Sequence, residues 1–174
     1  GSIYDVHPYI LMNYNGLYND VSTLIHELGH TMHSYYSNHA QPYEKADYSI
    51  FVAEVASTFN EILLFHDYYK TLKNKDEKLS LLMNYLDGIK GTVFRQTQFA
   101  EFELRIHEMV EKGEQLTGES LNKLYKEIVD KYYGHDKKVC EVPDYIKAEW
   151  AYIPHFYYNF YVYQYSTSYT AATA

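Results

Sequence analysis

Cysteine is almost absent from this 174-residue chain: Cys140 stands alone. No internal disulfide can form, which fits a reducing, cytoplasmic compartment. Positive charge is scarce too, with 15 Lys and Arg against 23 Asp and Glu and a formal net charge of −8. Without a basic stripe to displace counterions, nucleic acid is a poor partner. Long apolar runs are also missing. None approaches the roughly 18–20 residues that a membrane-spanning helix needs, and mean hydropathy is −0.45. Disorder is excluded by the opposite balance, since 47% of residues are hydrophobic and only 22% charged. No charged stretch followed by a short apolar run opens the chain, so no signal-peptide pattern is visible. What the chain has in excess is Tyr, 22 residues, and His, nine. Tyr combines an apolar body with a hydrogen-bonding tip, and His is the commonest metal ligand, so both excesses point to binding.

The length suits one domain with a substantial core. Tyr9–Tyr14, bounded by Pro8 and Asn15-Gly16, reads as a short strand. A helical period starts at Asn19-Asp20, a plausible N-cap, and runs to about Tyr36. At 100° per residue, Val21, Leu24, Ile25, Leu28, Met32 and Tyr35 share one face, expected to meet the core, and His26, His30 and His33 share the opposite face. A second helix over about Ser49–Lys70 is apolar nearly all round and reads as buried. Helical patterns follow over about Asp76–Lys112, interrupted by Gly88 and Gly91, and over Glu119–Tyr133, stopped by Gly134. From about His155 a further helical pattern begins, with six aromatics among the nine residues Tyr157–Tyr165. The expected class is mainly α, a bundle of helices with one short N-terminal strand.

His26-Glu27-Leu28-Gly29-His30 carries the sharpest chemical signal. On a helix, His at i and i+4 lie one turn apart on one side and can reach one zinc ion, while the intervening Glu is placed to meet a metal-bound water instead of the metal. With nine His in 174 positions, chance yields on the order of 0.04 such motifs. Glu54 sits among Ile50, Phe51, Val52, Ala53, Val55 and Ala56, where a carboxylate is costly unless it is paired or binds a metal. Two His and one Glu with an open fourth position form a catalytic zinc set. Glu61 lies two turns beyond Glu54 and faces the same way; it reads either as a hydrogen-bond partner for the outer nitrogen of His26 or as a solvated helix acid. His33 would close the site if it were a fourth ligand, so a core or supporting role suits it better.

Four blocks now bear on a family: His-Glu-Leu-Gly-His-Thr-Met-His-Ser-Tyr-Tyr-Ser at 26–37, Phe-Val-Ala-Glu-Val-Ala-Ser-Thr-Phe-Asn-Glu at 51–61, Arg-Gln-Thr-Gln-Phe-Ala-Glu-Phe-Glu at 95–103, and Ile-Pro-His-Phe-Tyr-Tyr-Asn-Phe-Tyr-Val-Tyr-Gln-Tyr at 153–165. In this order they resemble the oligoendopeptidase F branch of the thimet oligopeptidase family of zinc metallopeptidases. The resemblance implies a zincin-like catalytic core, one zinc ion held by His26, His30 and Glu54, and Glu27 as general base. It implies short peptides as substrates and makes Tyr9–Tyr14 an edge strand that pairs with them. It also implies that a late His and Tyr bind substrate and stabilise the oxyanion. His155 and Tyr158 are the first choice, with Tyr161 and Tyr165 as alternatives on the same helical stripe; packing in a core is the competing reading for such a stripe. The family's enzymes are several times longer, so residues 1–174 are expected to be the C-terminal catalytic region of a longer chain whose N-terminal part packs on it. Arg95, Gln96 and Glu103 show no obvious chemistry and are expected to serve an internal ion pair.

Overall fold

In the computed structural model, which describes all 174 residues, seven α-helices and no sheet are formed. The helices are α1 (Tyr18–Ala40), α2 (Tyr43–Ala46), α3 (Ile50–Thr71), α4 (Lys75–Ile89), α5 (Arg95–Glu111), α6 (Gly118–Tyr133) and α7 (Tyr163–Thr173). None is long and apolar enough to cross a membrane. The chain forms two compact units, one of Gly1–Ile89 with Thr167–Ala174 and the other of Lys90–Ser166.

The first unit is built on α1 and α3. Helix α1 starts at Tyr18, with Leu17 as N-cap two residues ahead of the Asn19-Asp20 pattern. Asp20 lies inside its first turn and accepts from the Asn15 and Leu17 N–H groups, both at 2.9 Å, placing a negative charge at the positive end of the helix. The expected strand does not form. Tyr9–Tyr14 makes no ladder, Leu11 is fully exposed, and the only bridge nearby joins Ile3 and Val6. A strand is stable only with a partner, and an otherwise helical chain offers it none.

The packing of both long helices also reverses expectation. Leu28, Met32 and Tyr35 of the supposed core face of α1 are exposed, and the buried residue is Gly29 on the other side. Helix α3 leaves Ile50, Phe51, Val52, Phe59 and Leu63 exposed while burying Glu54, Ser57 and Thr58. The two helices therefore meet through small and polar residues. Gly29 is the reason they can: a Cβ there would lie 2.5 Å from Ser57 Cα and 2.8 Å from the Ala56 carbonyl oxygen. Ile62, Phe65 and Leu81 supply buried apolar contacts in this unit, and Phe65 stacks on Tyr85 with ring centroids 4.2 Å apart.

The second unit has the conventional apolar core, formed by Phe99, Phe102, Tyr125, Ile128, Val129, Val162 and their neighbours. Each large side chain buried here contributes about 1.5–3 kcal/mol relative to exposure. A π-helical turn, Lys90–Phe94, precedes α5 where the sequence placed Gly91 in a long helix. Gly134 closes α6 as its sequence suggests, with φ of 65°, and at the other end Thr117 Oγ1 accepts from the Ser120 N–H at 3.1 Å. Arg95 forms the expected ion pair, with Glu149, which also accepts from the buried Tyr125 hydroxyl at 2.6 Å. Glu103 does not join it. The aromatic tail is not one helix either. A 3-10 turn at Pro154–Tyr157 is followed by a turn with Phe160 at φ of 55°, and only then by α7.

Candidate metal centre

The i, i+4 spacing on α1 brings the His26 and His30 rings to a centroid separation of 4.8 Å, nearly perpendicular, with their Nε2 atoms 3.1 Å apart. Helix α3 adds Glu54, whose Oε2 is 3.3 Å from His26 Nε2 and 3.4 Å from His30 Nε2. Three donor atoms from two helices thus form a nearly equilateral triangle. Tetrahedral ligands at 2.0–2.1 Å from zinc stand about 3.3 Å apart, so the three side chains fit such an ion. They are also the group in the chain with the composition and convergence of a metal site.

Electrostatics at the three side chains reflect this crowding. Burial works against charge on His26, but hydrogen bonds with Glu54 and Glu61 outweigh it and hold the imidazole up to about 10. Burial likewise opposes the charge on Glu54, yet hydrogen bonds from His26 and His30 keep its carboxyl well below the usual range. Ser57, fully buried, donates to Glu54 Oε2 at 3.1 Å and fixes the carboxylate further.

Glu61 stands where the first of its two sequence readings puts it. Its Oε1 accepts from His26 Nδ1, and its Oε2 receives the Ser22 hydroxyl at 3.4 Å. This contact directs Nε2 toward Glu54 and His30. Glu27 is half-buried, and its carboxylate has no hydrogen-bond or ion-pair partner. His33 stays out of the donor triangle and stacks on Tyr48 at 3.7 Å; burial, then the proximity of His30, lowers its pKa. Gly29 and Ser57 were not singled out from sequence. The available signal was a glycine in the middle of a helix, which costs about 1 kcal/mol relative to alanine and so asks for a packing reason.

In the second unit, the late aromatic residues gather without the helical stripe that predicted them. Tyr161 lies 5.6 Å from His155, 6.2 Å from Tyr158 and 5.4 Å from Tyr165, ring centroid to ring centroid. Tyr158 is largely exposed, while His155, Tyr161 and Tyr165 are half-buried.

A helical core presenting two histidines and a glutamate to one point, with Glu27 next to His26 in the chain, has the make-up of a metal centre. Comparison with known proteins agrees: residues 2–174 match Peptidase family M3, and the chain belongs to that family. It is 50% identical over 173 residues to the chromosomal oligoendopeptidase F of Lactococcus lactis subsp. cremoris, covering 99% of this chain and 28% of that protein. It is 51% identical over 171 residues to oligopeptidase PepF of Bacillus subtilis, covering 98% of this chain and 25% of that one. The crystal structure of oligoendopeptidase-F from Enterococcus faecium superposes with a TM-score of 0.72 at 47% identity, over 89% of this chain and 27% of that one. The chain therefore spans little more than a quarter of the length of these relatives.

Proposed function

We propose that residues 1–174 are the catalytic region of a zinc-dependent endopeptidase that cleaves short peptides in the cytoplasm. The observation that carries this reading is the triangle of His26, His30 and Glu54 donor atoms, with edges of 3.1–3.4 Å. One zinc ion bound there would polarise the scissile carbonyl and acidify a water. Glu27 takes the proton from the attacking water and delivers it to the leaving amine, work suited to a carboxylate with no other partner. Glu61 keeps the His26 ring oriented with Nε2 available. The cluster of His155, Tyr158, Tyr161 and Tyr165 holds substrate and supplies a hydrogen-bond donor to the developing oxyanion, a role supported by family resemblance and by the convergence of these rings.

The exposed apolar faces of α1 and α3, and the 28% span, support a further part of the reading: an N-terminal segment of a longer chain packs on this region. The same span favours a second reading, in which these residues alone bind metal and peptide without turnover. Metal analysis joined to hydrolysis of a quenched fluorogenic peptide separates the two, on this chain and on one extended at its N-terminus. About one zinc per chain is expected, lost in His26→Ala. Glu27→Gln should keep the zinc and lower kcat by about 10²–10⁴-fold. Absence of bound zinc, or full activity in Glu27→Gln, rejects the proposal.

A further inference from the structure

Glu103 has no place in the chemistry above, yet it is only 3% exposed. A carboxylate so buried, flanked by the core residue Phe102, needs a strong reason to stay. It has no ion pair. Its Oε1 accepts the backbone N–H of Phe160 at 2.8 Å, and burial, only partly offset by that bond, raises its pKa.

Phe160 is the odd residue of the tail. Its φ of 55° lies in the left-handed region, which a bulky side chain rarely enters unless its surroundings impose it. Both its backbone groups are held by buried side chains, the N–H by Glu103 and the carbonyl by Gln164 Nε2 at 3.1 Å. The His107 ring, one turn after Glu103, lies against the Phe160 ring at 4.6 Å. This reversal lies between the 3-10 turn and α7, and directly after it Tyr161 stands beside His155 and Tyr165.

We infer that Glu103 is a positioning residue: through the Phe160 amide it locks the left-handed turn that sets Tyr161 against His155 and Tyr165. Its consequence for catalysis rests on the role proposed above for that aromatic cluster.

Amide hydrogen exchange on the 174-residue chain reads the turn directly and requires neither metal nor activity. Glu103→Ala should speed exchange at the Phe160 amide by about tenfold or more. Glu103→Gln, whose side-chain oxygen still accepts the bond, should keep the amide protected. Glycine enters the left-handed region freely, so adding Phe160→Gly to Glu103→Ala should restore the nuclear Overhauser contacts between the Tyr161 and His155 rings. A residue that merely fills the core would show neither the Gln rescue nor the Gly rescue. Unchanged exchange in Glu103→Ala, or failure of both rescues, overturns the positioning role. In peptide hydrolysis, Glu103→Ala should lower kcat about ten- to a hundredfold with little change in KM. Lost protection with unchanged kcat would uphold the positioning role and reject the catalytic role of the cluster instead.

Discussion

Gly29→Ala tests how the metal site is assembled. The added Cβ would meet Ser57 Cα at 2.5 Å, the Ala56 carbonyl oxygen at 2.8 Å and Ser57 N at 2.9 Å. Carbon atoms prefer about 3.5–4.0 Å, and since all three obstacles are backbone, no rotamer change relieves them. Helix α3 must therefore retreat by roughly 1 Å, carrying Glu54 away from His26 and His30. Overpacking of this kind costs about 2–3 kcal/mol, offset by about 1 kcal/mol from the better helix propensity of alanine. A net loss of about 1–2 kcal/mol lowers the melting temperature by about 2–8 °C in a chain this size. Zinc affinity should fall about ten- to a hundredfold, the range seen when a ligand's support is disturbed. Thermal melts of the metal-free protein and zinc titrations measure the two effects. Gly88→Ala is the control, because its Cβ would meet nothing within 4 Å and should leave stability unchanged or raised by up to about 1 kcal/mol. A Gly29→Ala protein that melts like the wild type and binds zinc as tightly would refute the close-contact reasoning.

Stability of the metal-free chain should depend on pH in two directions. The contribution from His26 is fully present below its ordinary value of 6.5 and is lost as pH rises through about 10, while that from the depressed Glu54 is present above 4.5 and is lost as pH falls. Urea unfolding with a chelator should therefore place the optimum for these two groups between those ordinary values, and a maximum above pH 8 would contradict the charge assignment. Zinc binding at pH 7 must displace the His26 proton, so calorimetry in two buffers of different ionisation enthalpy should report about one proton released per zinc; a value near zero would count against it. Glu61→Gln preserves the shape of the contact with His26 Nδ1 but removes its charge, and should weaken zinc about tenfold; competition with a chromogenic chelator would reveal an unchanged affinity if Glu61 were merely a solvated acid.

Parts of this arrangement were readable in the sequence because they depend on one helix at a time. The approach of His26 and His30 follows from the helical repeat, and Glu54 stood out as an acid within an apolar run. Gly134 marked the end of α6 for an equally local reason. What escaped depends on distant partners. The burial of Gly29 acquires meaning only when Ser57 is opposite it. The break at Phe160 is held by Glu103, a residue 57 positions away, so no local period announces it. Assigning apolar faces to the core presumes that other residues of the chain cover them, and the apolar residues Leu28, Met32, Phe59 and Leu63 of α1 and α3 are instead exposed. The strand at Tyr9–Tyr14 fails for a related reason: local propensity supplies a strand's pattern but never its partner.

The inverted packing of α1 against α3 has an energetic consequence for the proposed metal. Their contact buries Glu54, Ser57 and Gly29 while leaving Leu28, Phe59 and Leu63 outside, so the part of the seam around the donor triangle does not rest on burying large apolar side chains. Glu54 Oε2 meets the Nε2 atoms of His26 and His30 across the seam, but buried ion pairs return little once desolvation is counted. An ion bound by all three would bridge the two helices, and its binding energy would then be folding energy. At a hundredfold excess over Kd, a ligand adds about 2.7 kcal/mol, more than the about 1–2 kcal/mol cost worked out above for Gly29→Ala. Because Gly29→Ala should also weaken zinc about ten- to a hundredfold, the variant gains about 1.4–2.7 kcal/mol less than the wild type from the same zinc concentration, so its defect should be larger in saturating zinc than in the metal-free melt. That difference, more than either melt alone, would show that helix contact and metal binding form one cooperative unit.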